Sequence, residues 1–217
     1  MAFYLIGLFL SWAPRVFSWG VFLTAIFFYF FPVKSAPAVE EIGTAGPKKA
    51  AYGKFLKTAI VAAIAFYVVY GLAETAAQYY VWKTNGFLEM VKGGGGDANG
   101  YFLFYSWGRF WISALLSIGG AFLFFYFLKA LKKYRERFFE EGELDLGFLS
   151  ALLIGWPNFV VFVPLVFLSV VIIAVFRRVF LKELYTTLGL PMLLATLLVL
   201  AFGDFLVAFF HLGVLRM

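Results

Sequence analysis

Residues 146–176 read LGFLSALLIGWPNFVVFVPLVFLSVVIIAVF, 31 positions without one charged side chain. A membrane span needs roughly 20 mostly apolar residues. As one straight helix this stretch would run ~46 Å at 1.5 Å per residue, well beyond the ~30 Å hydrocarbon core of a bilayer. It also carries its own breaks. Pro157 and Pro164 lack the amide that a helix interior uses, and Gly155-Trp156-Pro157-Asn158 is a stop signal. The reading is an interfacial or re-entrant half-helix near residues 146–157, then a span over 157–176.

Outward from it, further apolar runs predict spans over 16–33, 58–82, 108–128 and 188–212. The N-terminus repeats the grammar of the central stretch. An apolar run ends at Trp12-Ala13-Pro14-Arg15, which predicts a second interfacial or re-entrant half-helix near residues 2–13. None of the runs alternates in hydrophobicity every second residue, as barrel strands must, and an open sheet cannot satisfy its backbone in lipid. The fold class is an all-α integral membrane protein, with residues 1–217 forming one helical membrane domain of about five transmembrane helices (range four to six).

Composition agrees. The chain is 64% hydrophobic and 14% charged, against about 45–50% and about 25% in soluble domains. That excludes a cytosolic enzyme and a nucleic-acid module. The net charge of +6 needs no nucleic acid, because cytoplasmic loops of membrane proteins collect Lys and Arg. Zero Cys excludes disulfides and thiolate metal sites, and one His excludes a multi-histidine centre. No cofactor is expected.

Loop charges suggest an orientation. Loop 34–57 holds five Lys, and loop 129–147 begins with Lys129, Lys132, Lys133, Arg135 and Arg137. The positive-inside rule puts both on the cytoplasmic or matrix side of a bacterial or organelle inner membrane, with loop 83–106 opposite. Arg177, Arg178 and Lys182 disagree. A single crossing over 157–176 places 11 Lys and Arg inside and 7 outside, whereas a full hairpin gives 13 and 5. Early helices dominate the rule, so the single crossing is adopted. The loop of residues 92–100, Lys92 through four glycines to Gly100, reads as a flexible linker, since no Gly-Lys-Ser/Thr makes it a phosphate cradle. Residues 129–145 read as a charged helical extension out of the bilayer. Tyr79, Tyr80 and Trp82 face Tyr105, Trp107 and Trp111 as two halves of an interfacial aromatic belt.

Two stretches, Phe9-Leu10-Ser11-Trp12-Ala13-Pro14 and Leu153-Ile154-Gly155-Trp156-Pro157, are alike, and each precedes a span, a basic loop and a helix with one acid. An inverted repeat of that kind is the plan of many transporters, although Trp-Pro breaks recur by chance in so apolar a chain.

Four residues carry candidate chemistry. Asp204 is the one charge inside the last apolar run, and a carboxylate at mid-bilayer costs about 2.5–3.5 kcal/mol on insertion scales. His211, seven positions on, falls on nearly the same helical face and suggests a proton or cation relay. Glu74 shares a polar stripe with Tyr67, Tyr70, Gly71 and Gln78. Arg109 is its natural partner across a helix interface. The plainer alternatives are an interfacial Asp204, a stripe that only packs helices and an arginine that snorkels to headgroups. No Ser/His/Asp set, HExxH or carboxylate dyad points to an enzyme. With 48 aromatic residues and short loops, the first expectation is a non-catalytic subunit of a larger membrane complex, in contact with lipids and with other subunits or copies of itself. The second is a small transporter or proton/cation pathway that uses an intramembrane carboxylate. A mid-depth polar cavity reaching Asp204 would favour the second.

Overall fold

A computed structural model describes residues 2–31, 47–93, 97–134, 139–140, 142–182 and 187–215, with no strand among them. The helices are α1 (Ala2–Phe30), α2 (Pro47–Thr84), α3 (Phe87–Gly93), α4 (Ala98–Ser106), α5 (Ile112–Tyr134), α6 (Glu143–Ile154), α7 (Phe159–Phe176) and α8 (Gly189–Phe209). A π-helical turn, Trp107–Trp111, joins α4 to α5; a second, Arg177–Leu181, extends α7; and a 3₁₀ turn, Leu212–Leu215, follows α8. Among the described residues, five stretches are long and apolar enough to cross a membrane: Gly7–Phe30, Ala51–Thr84, Ala98–Tyr134, Phe159–Phe180 and Gly189–Phe209.

Contacts along α6 set its direction. Its start, at Glu143, meets the start of α8 at Gly189, and Gly147 lies against Leu128 of α5 and Met192 of α8. Its end reaches Tyr67 of α2 and Ser117 of α5. Helix α6 therefore runs with α2 and α8 and against α5. Helix α7 then reverses. Phe159 sits on Gly120, Phe162 on Phe124 and Phe167 on Phe127, so α7 follows α5 back to the end from which α6 came. The stretch 146–176 is a hairpin, not the single crossing that loop charges favoured. Gly155 makes the reversal possible: its φ of +65° lies where a Cβ is disfavoured, and Pro157 two residues later cannot continue the helix.

The two arms differ in environment. Helix α6 buries Leu146 through Ile154 without a gap, as a helix apolar on every side must. Helix α7 turns Phe167, Leu168, Val171, Ile172, Val175 and Phe176 outward. Gly147 keeps α6 close to its neighbours, since a Cβ there would collide with Leu128 and come within 3.2 Å of the Met192 sulfur. Lys54, Lys57, Lys129, Lys132, Lys133, Arg177 and Arg178 all fall at one end of the bundle, here called the basic end. The hairpin thus gathers at one end the basic residues that stood in conflict in the sequence.

Other expectations are corrected. There is no separate half-helix at 2–13, because α1 continues through Pro14. The carbonyl that Pro14 leaves without its helical donor, Leu10 O, accepts instead from the Tyr70 hydroxyl at 3.0 Å, the kind of replacement that lets proline sit inside a membrane helix. Of the charged extension expected over 129–145, residues 129–134 continue α5 and 143–145 begin α6, while 139–140 are not helical. Residues 135–138 and 141 lie outside the described residues, and Gly142 at φ +89° sets up α6. Of the linker 92–100, residues 94–96 lie outside the described residues. Its flanks are helical, with Asp97 capping α4 through the Asn99 amide at 3.1 Å. The aromatic belt becomes a packed cluster: Trp82 meets Phe87, Tyr101, Phe102 and Tyr105 at centroid distances of 4.7 to 5.9 Å. Trp111 instead packs on Gly71.

The hairpin has a direct consequence for labelling. The native chain has no cysteine. Single cysteines replacing Lys133 and Lys182 should react with an impermeant maleimide from the same side of sealed vesicles, and one replacing Asp97 from the other. Opposite sidedness of Lys133 and Lys182 would restore the single crossing.

Candidate functional site

The last turn of α6 would leave backbone carbonyls unpaired within the bundle. Two neighbouring helices and the turn itself supply donors. Tyr67 of α2 donates its hydroxyl to Leu152 O at 2.6 Å, Ser18 of α1 donates to Leu153 O at 3.0 Å, and the Gly155 amide closes on Ala151 O at 3.2 Å. Ser117 of α5 accepts the Trp156 amide at 2.8 Å and donates onward to Ser113 O at 2.8 Å. The α7 amides are satisfied within the turn, from Phe159 to Gly155 O, Val160 to Pro157 O and Phe162 to Asn158 O. Trp156 is fixed from outside, its indole N–H donating to Leu215 O at 2.8 Å.

Above this tip, away from the basic end, lies a cavity of about 820 Å³. Its walls come from Trp12 to Trp19 of α1, Ala63 to Glu74 of α2, Arg109 to Ser117, the tip itself, and Val199 to Asp204 of α8. The size is within the range of ~300–1,000 Å³ that small-molecule sites occupy. Toward the basic end Phe22, Leu56, Leu149, Leu152 and Met192 are fully buried and close the bundle.

Two acids and two bases line this cavity, so its fixed charge is balanced. Glu74 Oε1 accepts from the Tyr70 hydroxyl at 2.7 Å, and the Arg109 guanidinium is close enough to act on the Glu74 charge. The π-helical turn carries Arg109; such local widenings of a helix recur at functional sites. At the rim Arg15 Nη2 meets Asp204 Oδ2 at 2.6 Å, with side-chain exposures of 62% and 57%. The Arg15 guanidinium also lies over the Trp12 ring, 5.9 Å from its centroid. Deep in the cavity, the Asn158 side chain packs on Gly203, and its Oδ1 is buried without a hydrogen-bond partner.

Of the four residues singled out in the sequence, Asp204, Glu74 and Arg109 line this one cavity, and His211 does not. Helix α8 ends at Phe209, and His211 sits beyond it in a turn at φ +55°, which removes the two-turn alignment with Asp204. Sequence reasoning missed Arg15, whose signal was its place as the single charge between two apolar runs, the counterpart of Asp204 in α8. It also missed Ser18, Tyr67 and Ser117 as caps, because a capping role is visible only once α6 is known to end inside the bundle. Among the described residues no group of three His, Asp or Glu could hold a metal ion. Comparison with protein-family models, with curated proteins and with solved structures found no match.

Proposed function

We propose that the protein is a small non-catalytic membrane transporter that admits a polar or ionic solute, or a proton or cation, into the cavity above the re-entrant tip. The observation that carries this reading is the cavity itself: charge-balanced, large enough for a small molecule, open near Arg15 and Asp204 and closed at the basic end by a fully buried apolar layer. An access path open at one end and sealed at the other is one half of an alternating-access cycle, and a tip of broken helix between packed spans is where transporter sites lie. In this reading the basic end faces the cytoplasm or matrix of an inner membrane.

The subunit reading draws on the exposed apolar side chains of α7 and on Phe202, Phe205 and Phe209 of α8. Lipid covers such a face as well as a partner does, so it favours neither reading. The cavity tips the balance to transport.

The test is flux in proteoliposomes, with imposed proton, sodium and potassium gradients and a panel of small zwitterions and anions. Ser113 lines the cavity, and Ser113→Trp fills it without touching the tip's bonds, which use the Ser113 backbone carbonyl rather than its hydroxyl. Wild-type flux at least tenfold above that of Ser113→Trp, with equal reconstitution, is the expected result. Wild-type vesicles no leakier than empty ones across the whole panel would remove the transport reading.

A further inference from the structure

The Tyr70 hydroxyl has one proton and two acceptors within reach, Glu74 Oε1 at 2.7 Å and Leu10 O at 3.0 Å. A phenol donates one hydrogen bond at a time. Leu10 is four residues before Pro14, so the amide that would serve its carbonyl inside α1 is missing. The three groups therefore have two arrangements. With Glu74 ionised, the charge-assisted bond claims the phenolic proton, and the Leu10 carbonyl loses its donor. With Glu74 protonated, the carboxyl O–H donates to the Tyr70 oxygen, the phenol turns to Leu10 O, and every group is satisfied. We propose that Glu74 is a proton-binding site whose occupancy fastens the N-terminal arm of α1 to α2 through Tyr70.

The surroundings suit the role. Glu74 faces Tyr70 on its own helix and Arg109 beside α5. The same cavity is lined by Tyr67 of α2, Arg15 of α1 and Asp204 of α8, while the α6–α7 tip contributes Trp156 and Asn158, neither of which titrates. The arm that the switch releases carries Trp12, Pro14 and Arg15, all of which line the cavity, so proton binding at Glu74 changes the cavity's wall. As a coupling device this deepens the transport reading and rests on it; as a proton-linked contact between two helices it is measurable without flux.

The experiment uses the full chain in lipid nanodiscs with nitroxides on Phe9→Cys and Val69→Cys, positions that are 73% and 64% exposed. The wild type should show one narrow distance at acid pH and a second, broader population at alkaline pH. The tethered-to-released ratio should change about fivefold, the worth of one net hydrogen bond. Glu74→Gln keeps the shape, and its amide N–H donates as the protonated acid does, so it should stay narrow at all pH. Tyr70→Phe removes the relay and should stay broad at all pH. The infrared band of protonated carboxyls should grow on acidification in the wild type and in Tyr70→Phe, and in Glu74→Gln the growth should be smaller by one carboxyl's worth. A wild-type distance that ignores pH, two variants that shift alike, or a carboxyl band independent of Glu74 would each overturn the proposal. Flux without the distance change sinks this inference alone; the distance change without flux sinks the transport reading alone.

Discussion

Gly155→Val is expected to lose about 3–5 kcal/mol of stability, the largest effect of any single change at the tip. Two costs add. Position 155 sits at φ +65° and ψ 176°, a region open almost only to glycine, where a residue with a Cβ is penalised by about 1–3 kcal/mol. The new Cβ would also stand 2.8 Å from the Tyr67 hydroxyl and 3.4 Å from Ser117 Oγ, pushing aside groups that cap α6. A buried carbonyl left without a donor costs about 1–3 kcal/mol. Tyr67→Phe separates the two costs, because it deletes only the cap. It should lose about 1 kcal/mol, since hydrogen bonds between membrane helices average only ~0.6 kcal/mol. Unfolding in mixed detergent micelles, followed by tryptophan fluorescence, checks both. A Gly155→Val protein as stable as Tyr67→Phe would mean that the hairpin does not need its left-handed residue.

Glu143→Ala should be nearly as damaging, at about 2–4 kcal/mol. Glu143 is 3% exposed and lies at the basic end, outside the five apolar spans. Its Oε1 accepts the Gly189 amide at 2.6 Å, and its Oε2 accepts the Glu140 amide at 3.0 Å. One carboxylate thus caps the start of α8 and holds the turn into α6. Alanine strands the buried Gly189 amide, a cost of about 1–3 kcal/mol, and frees the part-buried Glu140 amide at a smaller cost, with some return from removing a buried charge. Glu143→Gln should lose less, as its amide oxygen still accepts one of them. Burial pushes the Glu143 carboxyl above its usual value, more than the two amides pull it down. A carboxyl raised on folding contributes stability at pH below its unfolded pKa, about 4.3. That contribution is lost as pH climbs from there through the raised folded value. Wild-type stability should therefore decline over that interval, and the decline should be absent in Glu143→Gln. Equal pH profiles for the two would remove Glu143 as the cause.

How much of this was legible in the sequence differs from element to element. The apolar runs announced the helices because a bilayer imposes one requirement on all of them, and α8 begins within a residue of the expected span. The Trp-Pro pairs show where reading stops. Trp12-Ala13-Pro14 and Trp156-Pro157 are nearly the same signal, yet the first lies inside an unbroken helix and the second ends one. The difference is not local to proline. Leu10 O is rescued by Tyr70, 60 residues away in sequence, and no window around Pro14 contains that tyrosine. Before Pro157 the chain has Gly155, which can turn; before Pro14 it has Ala13, which resists turning. At these two sites, then, one break stands against one continuous helix.

The site was half legible for a similar reason. Glu74 and Asp204 stood out because charges are scarce in apolar helices, and their cavity-lining positions follow from that scarcity. Pairing was another matter. Spacing along α8 suggested His211 for Asp204, but α8 stops two residues short of it, and the partner is Arg15, 189 positions earlier.

The enclosed position of α6 has a further consequence, for the order in which the protein comes together. Twelve residues at 1.5 Å each make ~18 Å of helix, too short to be held by a bilayer alone. Its first residue, Glu143, accepts the Gly189 amide of α8, and its flank is filled by Met192. Those residues are synthesised some 40 positions later. Helix α6 therefore leaves the ribosome with its α2 and α5 neighbours already made, but before its α8 wall exists. A nascent chain truncated before α8 holds every span up to α7 but lacks the Glu143–Gly189 bond at the base of α6. The step that completes the cavity floor is the arrival of the last helix.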